Sequence, residues 1–403
     1  MLDQALSALL LQAGWNATLV ALGAALLGAA AGGAGAFIFL RKRALVSDAV
    51  AHATLPGVAL AFIVMVALGG DGRSLAGLLA GAAGSAWLGL LAVDRLTRRT
   101  RLPEDAAIGA VLSVFFGAGV VLLTVIQTMT AGRQAGLESF LLGATAGMLL
   151  EDAVVIALGA AGCALAVVLL RRPMTLVAFD PGFAASTGVN VARMDLAMMG
   201  LVMAVTVVGL KIVGLILIVA LLIVPPVAAR FWTERTDRLV AIAAGIGAVS
   251  GWVGAAISAA APDLPTGAVI VMVAFALFLA GLLLSPARGV LAAVLRRRRF
   301  ARRVHRRQGL LALAHDEPIL EPLTRRLLRR EGLLRADGVP TEGGRAEAAK
   351  ARLDEARWAA MRARRDDAEA ARYDGLTPIE TVLAPDEIAE LDRRLGPRAP
   401  EGA

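Results

Sequence analysis

Long apolar runs alternate with short polar stretches from the start of the chain to about Pro286. A bilayer core takes about 20 apolar helical residues. The runs therefore predict nine membrane spans, near 15–40, 44–69, 74–93, 104–128, 148–170, 193–209, 211–231, 239–259 and 266–285. Only Lys211 separates the sixth from the seventh. The polar stretches between spans fall into two sets. One is basic: Arg41-Lys42-Arg43, the arginines of 95–101, Arg171-Arg172, those of 230–238, and Arg296 to Arg299. The other holds Asp71-Gly72-Arg73, the stretch 131–138 and the stretch 261–265. The positive-inside bias assigns the basic set to the cytosol. An odd number of spans then puts the N-terminus outside and the C-terminus in the cytosol. Beyond 289 the apolar runs end and the chain becomes arginine-rich and charged. Two parts are predicted: an all-α polytopic membrane domain over 1–288 and a soluble tail over 289–403.

Inside the second run two polar side chains stand out. Asp48 and His52 are four residues apart, so a helix places them on one face. Ionisable groups within a membrane helix are expensive and tend to mark a substrate path or a paired site. A carboxylate with an imidazole is half of a divalent-metal site, suited to Mn(II), Zn(II) or Fe(II). Pro56 cannot donate to the carbonyl of His52, which loosens the helix beside the pair. The plainer reading is a helix start capped by Ser47 or Asp48, with His52 bonded to a neighbouring helix. As a ligand His52 must be neutral, so transport through it weakens as pH falls through the titration range of histidine.

Composition narrows the picture. The chain has 403 residues, 58% of them hydrophobic, and a formal net charge of +8. Much of that charge serves membrane topology, so the high isoelectric point does not by itself indicate nucleic acid. A single cysteine, Cys163, excludes an intrachain disulfide framework and offers no thiolate at Asp48 and His52. The first four residues lack the positive charge of a cleavable leader, so the N-terminus is read as mature chain. The lysines are Lys42, Lys211 and Lys350, and none lies in a Gly-x-x-x-x-Gly-Lys-[Ser/Thr] loop. The chain is therefore not expected to hydrolyse ATP by a P-loop, and is not an enzyme.

Three further features have local meaning. Asp180-Pro181 is a helix-start signal and Gly188 a stop, predicting a short surface helix between spans. Glycines crowd the early spans, as in Gly28, Gly32, Gly81, Gly84 and Gly89, which permits close helix approach. Glu151 and Asp152 read as interfacial residues opening the fifth span, and Lys211 as a cation reaching back to the interface. Thr124, Gln127 and Thr128 are candidates for lining a path.

The run 43–62, through Ser47, Asp48, His52, Pro56 and Gly57, resembles the permease subunit of the manganese/zinc/iron family of ATP-binding-cassette importers. Phe140-Leu141-Leu142-Gly143, Phe179-Asp180-Pro181 and the stretch 214–225 extend the resemblance over 15–284. It implies a divalent-metal importer subunit with manganese favoured, then zinc or iron, and no permanently bound cofactor. Its partners would be a dimer of a separate cytosolic ATPase that holds the ATP, a second permease subunit and an extracytoplasmic metal-binding protein. The site would be the plasma (inner) membrane of a bacterium-like cell. Asp48 and His52 would be the intramembrane polar pair. Asp180, Pro181, Gly182, Phe183 and Gly188 would form the coupling helix seated in the ATPase.

The tail carries its own resemblance. Residues 310–350 resemble a winged-helix unit of the iron/manganese-dependent repressors, with 322–330 as recognition helix and Thr341-Glu342-Gly343-Gly344-Arg345 after the wing. The stretches 378–385 and 391–396 resemble that family's dimerisation region, although Thr381 stands where it carries a histidine. A small winged-helix-like α(+β) domain is the expectation. Arg325, Arg326, Arg329 and Arg330 would favour DNA, but tethering to a bilayer and nearby acids favour docking on lipid or on the ATPase. His305 and His315 lack partnering cysteines. Two rival functions remain: a permease for a metal chelate or cobalamin-like ligand, and a membrane-anchored metal-responsive sensor. Uptake retained after deleting the residues beyond Arg299 would remove the sensor.

Overall fold

A backbone in lipid must satisfy its own hydrogen bonds, so an apolar run of this length folds as a helix. The structure, a computed structural model, describes residues 7–10, 12, 14–70, 72, 74–129, 150–260, 264–363 and 372–396; for 152, 211–213 and 215–217 it describes the backbone alone. Asp71, Arg73, the loop 131–138, the element 140–143 and residues 261–263 lie outside these. The chain divides into two units, Met1–Val290 and Leu291–Ala403.

The first unit is helical throughout its described elements: α1 Trp15–Leu40, α2 Leu45–Ala67, α3 Leu75–Arg99, α4 Glu104–Thr128, α5 Leu150–Phe179, α6 Pro181–Ser186, α7 Val191–Val213, α8 Leu215–Arg230, α9 Thr236–Ala259 and α10 Thr266–Leu284. Eight of these are long and apolar enough to cross a membrane, and α8 is a shorter apolar helix. Together they occupy the nine positions that the hydropathy pattern marks.

Several boundaries differ, α3 for one running on to Arg99 rather than ending near 93, and two of them show the physical reasons. Helix α5 has 30 residues and runs straight through Arg171, Arg172 and Pro173. That is about 45 Å of helix against a hydrocarbon core of about 30 Å. Hydropathy marks where lipid ends, whereas a helix ends only at a stop signal, so the two arginines are helical and not in a loop. The break between α7 and α8 falls at Gly214, with φ +78°, rather than at Lys211. A glycine adopts that conformation without steric penalty. Lys211 is inside α7, with its side chain outside the description.

The packing centres on α1, the most buried of the spans. A Cβ added to Gly28 would lie 2.1 Å from the carbonyl oxygen of Gly247 on α9, and one on Gly247 would lie 2.0 Å from that of Gly28. Helices α2 and α3 cross in the same way: a Cβ on Gly57 would sit 2.1 Å from the Gly81 carbonyl oxygen. Backbone cannot yield as a flexible side chain can. Gly28→Val should therefore lower the thermal stability of the purified chain sharply, by several kcal/mol, at or beyond the upper end of the overpacking range. Gly84→Val should not, because Gly84 faces open space. Equal melting temperatures for the two variants would contradict this reading.

The second unit holds α11 Val290–Ala314, α12 Pro322–Arg330, α13 Glu342–Arg362, a 3-10 turn Ile379–Thr381 and α14 Pro385–Leu395. Leu310, Leu328, Leu333, Leu334 and Ala351 form one core; Trp358, Met361, Ile379, Leu383 and Leu391 form another. The β part of the expected winged-helix-like α(+β) domain is not borne out. No strand occurs among the described residues, and the place of the wing is taken by a tight turn with a single bridge, Leu334 to Pro340. Gly338 closes that turn at φ +89°, and Thr341 leaves it to cap α13, its hydroxyl accepting from the Gly344 N–H at 3.0 Å. Across that turn the Arg335 N–H donates to the Val339 carbonyl at 2.9 Å and the Thr341 N–H to the Leu333 carbonyl at 3.1 Å, a pairing too short to make a ribbon of strands. Arg329, assigned to a recognition face, instead donates to the Arg335 and Ala336 carbonyls of this turn. Glu380 pairs with Arg357 at 3.1 Å, and the bidentate bond from Arg357 to Asp392 raises the affinity of that guanidinium for its proton. His305 and His315 are engaged by Thr324 and the Leu311 carbonyl at 2.9 and 2.8 Å.

Candidate functional site

Asp48 and His52 occupy the first two turns of α2, and the helix is unbroken through Pro56. The four-residue spacing brings His52 Nε2 to 3.4 Å from Asp48 Oδ1. The His52 ring meets the edge of Phe116 on α4 at 5.1 Å between centroids, in a T-shaped arrangement. Its other nitrogen, Nδ1, is buried without a hydrogen-bond partner. Asp48 is 40% exposed and His52 21%, so on a single chain the pair lies at an open face of the helix bundle. Ser47 does not cap the carboxylate; its hydroxyl donates to the Ala44 carbonyl at 2.5 Å. The Asp48 carboxylate and the His52 Nε2 that faces it can together take a divalent ion, but supply only two of its ligands. Among the described residues no group of three or more His, Cys, Asp or Glu side chains comes together.

Other candidates are not brought to this pair. The hydroxyls of Thr124 and Thr128 donate to carbonyls of their own helix, Val120 at 3.0 Å and Val125 at 2.7 Å. Glu151 is exposed in the first turn of α5, and Cys163 is buried in the core.

The segment after α5 is built by its caps. Asp180 Oδ1 accepts from the Phe183 N–H at 2.9 Å and starts α6, with Pro181 at the first helical position. Gly188, at φ +86°, ends it, and the N–H groups of Gly188 and Val189 return to the Ala185 and Ala184 carbonyls. That is the Schellman pattern. Ala184 is buried, while Phe183 is 56% exposed and Phe179 63%. The end of α5 and the short helix α6 thus each present one aromatic ring, Phe179 and Phe183, to the surroundings.

The model of the ABC 3 transport family matches residues 16–285, about two thirds of the sequence. The chain belongs to the ABC 3 transport family. The relatives it resembles include the manganese transport system membrane protein MntC of Bacillus subtilis, 40% identical over 74% of this chain and 67% of that one. The zinc transport system membrane protein TroC of Treponema pallidum is also 40% identical, over 70% of this chain and 92% of that one. Among solved structures, a chain of PsaBC from Streptococcus pneumoniae in complex with Fab matches at a TM-score of 0.61 and 27% identity, covering 72% of this chain and 98% of that one. The ABC 3 match includes Asp48, His52 and the whole of α6, and stops before the tail.

Sequence reasoning missed an ionic cluster in this ABC 3 domain. Asp195 on α7 is buried and accepts two bonds from Arg41, at 3.0 Å each, with Arg43 Nη1 at 3.2 Å. Arg43 also reaches Glu104 on α4 at 2.8 Å. The turn that aims both arginines has Lys42 in the left-handed region, φ +59°. A lone acid in a long apolar stretch, opposite a basic corner, was the available signal.

Proposed function

We propose that this chain is the membrane-spanning permease subunit of an ATP-driven importer of divalent metal ions, manganese first, then zinc or iron. The observation that carries the reading is the Asp48–His52 pair, 3.4 Å apart inside a family-matched membrane helix, with a second imidazole nitrogen left unpartnered. The manganese and zinc systems named among its relatives support that class of cargo. The chain is a transport subunit and not an enzyme; the ATP is bound and hydrolysed on a dimer of a separate ATPase.

An ionisable pair left open to one side of a membrane domain needs a polypeptide or water facing it. A second permease subunit, copy or paralogue, supplies that face and a further carboxylate and imidazole. The two pairs form a waypoint rather than a store, since a transported ion must also leave. An extracytoplasmic binding protein delivers the ion. In this arrangement the N-terminus is outside and the tail cytosolic, in a bacterial plasma membrane. The metal-chelate reading has less support: a metal-chelate-type ABC transporter in an inward-facing conformation shares the fold at a TM-score of 0.53, but at 17% identity that likeness carries the fold alone.

Helix α6 is the coupling helix, with Asp180, Pro181, Gly182 and Gly188 shaping it and Phe183 as its anchor. Phe183→Ala should weaken ATPase retention by about 30-fold, the loss expected of a central aromatic contact. The fold should survive, because that ring is exposed. Undiminished co-purification of the ATPase with this variant would rule out the coupling role of Phe183. The whole reading is tested by ATP-dependent uptake of manganese and zinc into vesicles holding this chain, its ATPase and its binding protein. Absence of uptake of either ion by an assembled, ATP-hydrolysing complex would refute it.

A further inference from the structure

Helix α11 has two halves that the fold treats differently. Its 25 residues include no acid. Toward its end Arg306 pairs with Glu331 at 2.9 Å and Glu347 at 3.1 Å, and Arg307 with Asp354 at 2.7 Å and Glu355 at 3.1 Å. Those arginines hold the tail together. Earlier in the helix Arg297, Arg298, Arg299, Arg302 and Arg303 are all exposed. Just before them Val290, Leu291, Val294 and Leu295 are exposed as well, and Phe300 lies among them under the Arg303 guanidinium, 5.9 Å from its ring centroid.

The start of this helix is fixed to the membrane domain. The Ser285 hydroxyl donates to the Phe231 carbonyl at 2.5 Å, Arg288 pairs with Glu234, and Gly289 turns back on the Ser285 carbonyl at 2.9 Å. Leu284, the last residue of α10, is only six residues before Val290. Arg299 follows Val290 by nine residues, about 14 Å along a helix. Whatever the direction of α11, its exposed apolar turn begins at the bilayer edge, with the arginines next to it. Positive-inside topology asks for a few basic residues at such an edge. It does not ask for exposed valine, leucine and phenylalanine on the same turns.

We propose that the first half of α11, 290–303, is a membrane-surface anchor that seats its apolar side chains at the headgroup boundary and its arginines on anionic phospholipid. Polybasic segments gain affinity from the negative surface potential of such lipid within about a Debye length. Apolar residues on the same helix add insertion. The inference rests on the membrane reading of α1–α10 and is independent of the metal path.

The test uses the full-length chain in nanodiscs of zwitterionic lipid or of lipid containing phosphatidylglycerol. A fluorophore is placed at Leu295→Cys in a Cys163→Ala background, and its quenching by shallow spin-labelled lipid is read. Quenching should be strong in anionic discs, weak in zwitterionic ones and reversed by salt. Arg297→Gln, Arg298→Gln and Arg302→Gln should each lower the ratio of seated to released helix about fivefold. Hydrogen-exchange protection of α13 verifies that the tail of each variant is folded. Quenching that ignores lipid charge, or that develops only when the ATPase is added, overturns the proposal, the latter by naming a protein partner instead. Loss of uptake in Asp48→Ala with quenching intact would bear on the metal path alone.

Discussion

Asp48→Ala and His52→Ala should each abolish ATP-dependent manganese and zinc uptake in assembled vesicles, with a fall of about 100-fold or more. The expectation comes from the ligand count. One chain offers an ion a single carboxylate and a single imidazole at this place, with 3.4 Å between them. Loss of even an outer partner of a metal ligand weakens a metal site by about 10- to 100-fold, and these two are the proposed ligands themselves. Folding should be little affected by the loss of the carboxylate, because Asp48 is 40% exposed. The isosteric changes Asp48→Asn and His52→Gln sharpen the test. Each keeps volume and hydrogen-bonding capacity while removing the anionic oxygen or the imidazole. If packing were the role of the pair, these two variants would transport normally and only the alanines would suffer. Uptake unchanged in all four variants would reduce the pair to a helix-packing feature and shift the search to Thr124, Gln127 and Glu151.

The parts of the molecule that sequence reading places correctly are those governed by local rules. The spans follow from the demand that lipid makes on each backbone segment. The shared face of Asp48 and His52 follows from helical periodicity, and the limits of α6 from Asp180, Pro181 and Gly188. The rest depends on what meets what. Hydropathy could not carry α5 past Arg172 to Phe179, because it responds to the thickness of the bilayer and not to helix continuity. The break at Gly214 was masked by the more conspicuous charge of Lys211. In the tail, resemblance supplied a wing where the turn between Leu334 and Pro340 makes only one bridge. The pairing of Arg41 with Asp195 spans 154 positions, and no local pattern announces it.

Asp195→Ala should be the most destabilising single polar change in the membrane domain, by about 3 kcal/mol. Its carboxylate is 7% exposed and holds two arginines that are themselves only 16% and 21% exposed. Removing one partner of a buried ion pair leaves uncompensated charge, which costs about 3–5 kcal/mol. The lower end applies because Arg43 keeps Glu104 at 2.8 Å. The strain of Lys42 at φ +59° points the same way, since a non-glycine turn in that region persists only when its surroundings hold it. With Asp195 gone, the turn between α1 and α2 loses the bonds that fix it, five residues before Asp48. The same acid lies in the first turns of α7, which follows α6 directly. Asp195 therefore ties the segment proposed to dock the ATPase to the helix that carries the proposed metal pair. A double-mutant cycle distinguishes pairing from mere bulk. Arg41→Leu combined with Asp195→Leu should be markedly more stable than the sum of the single losses predicts, because neither charge is then left alone. Thermal unfolding of the purified chain reads the difference. Additive losses would show that Arg41 and Asp195 stabilise the corner independently and that the bidentate pair is not its fastening.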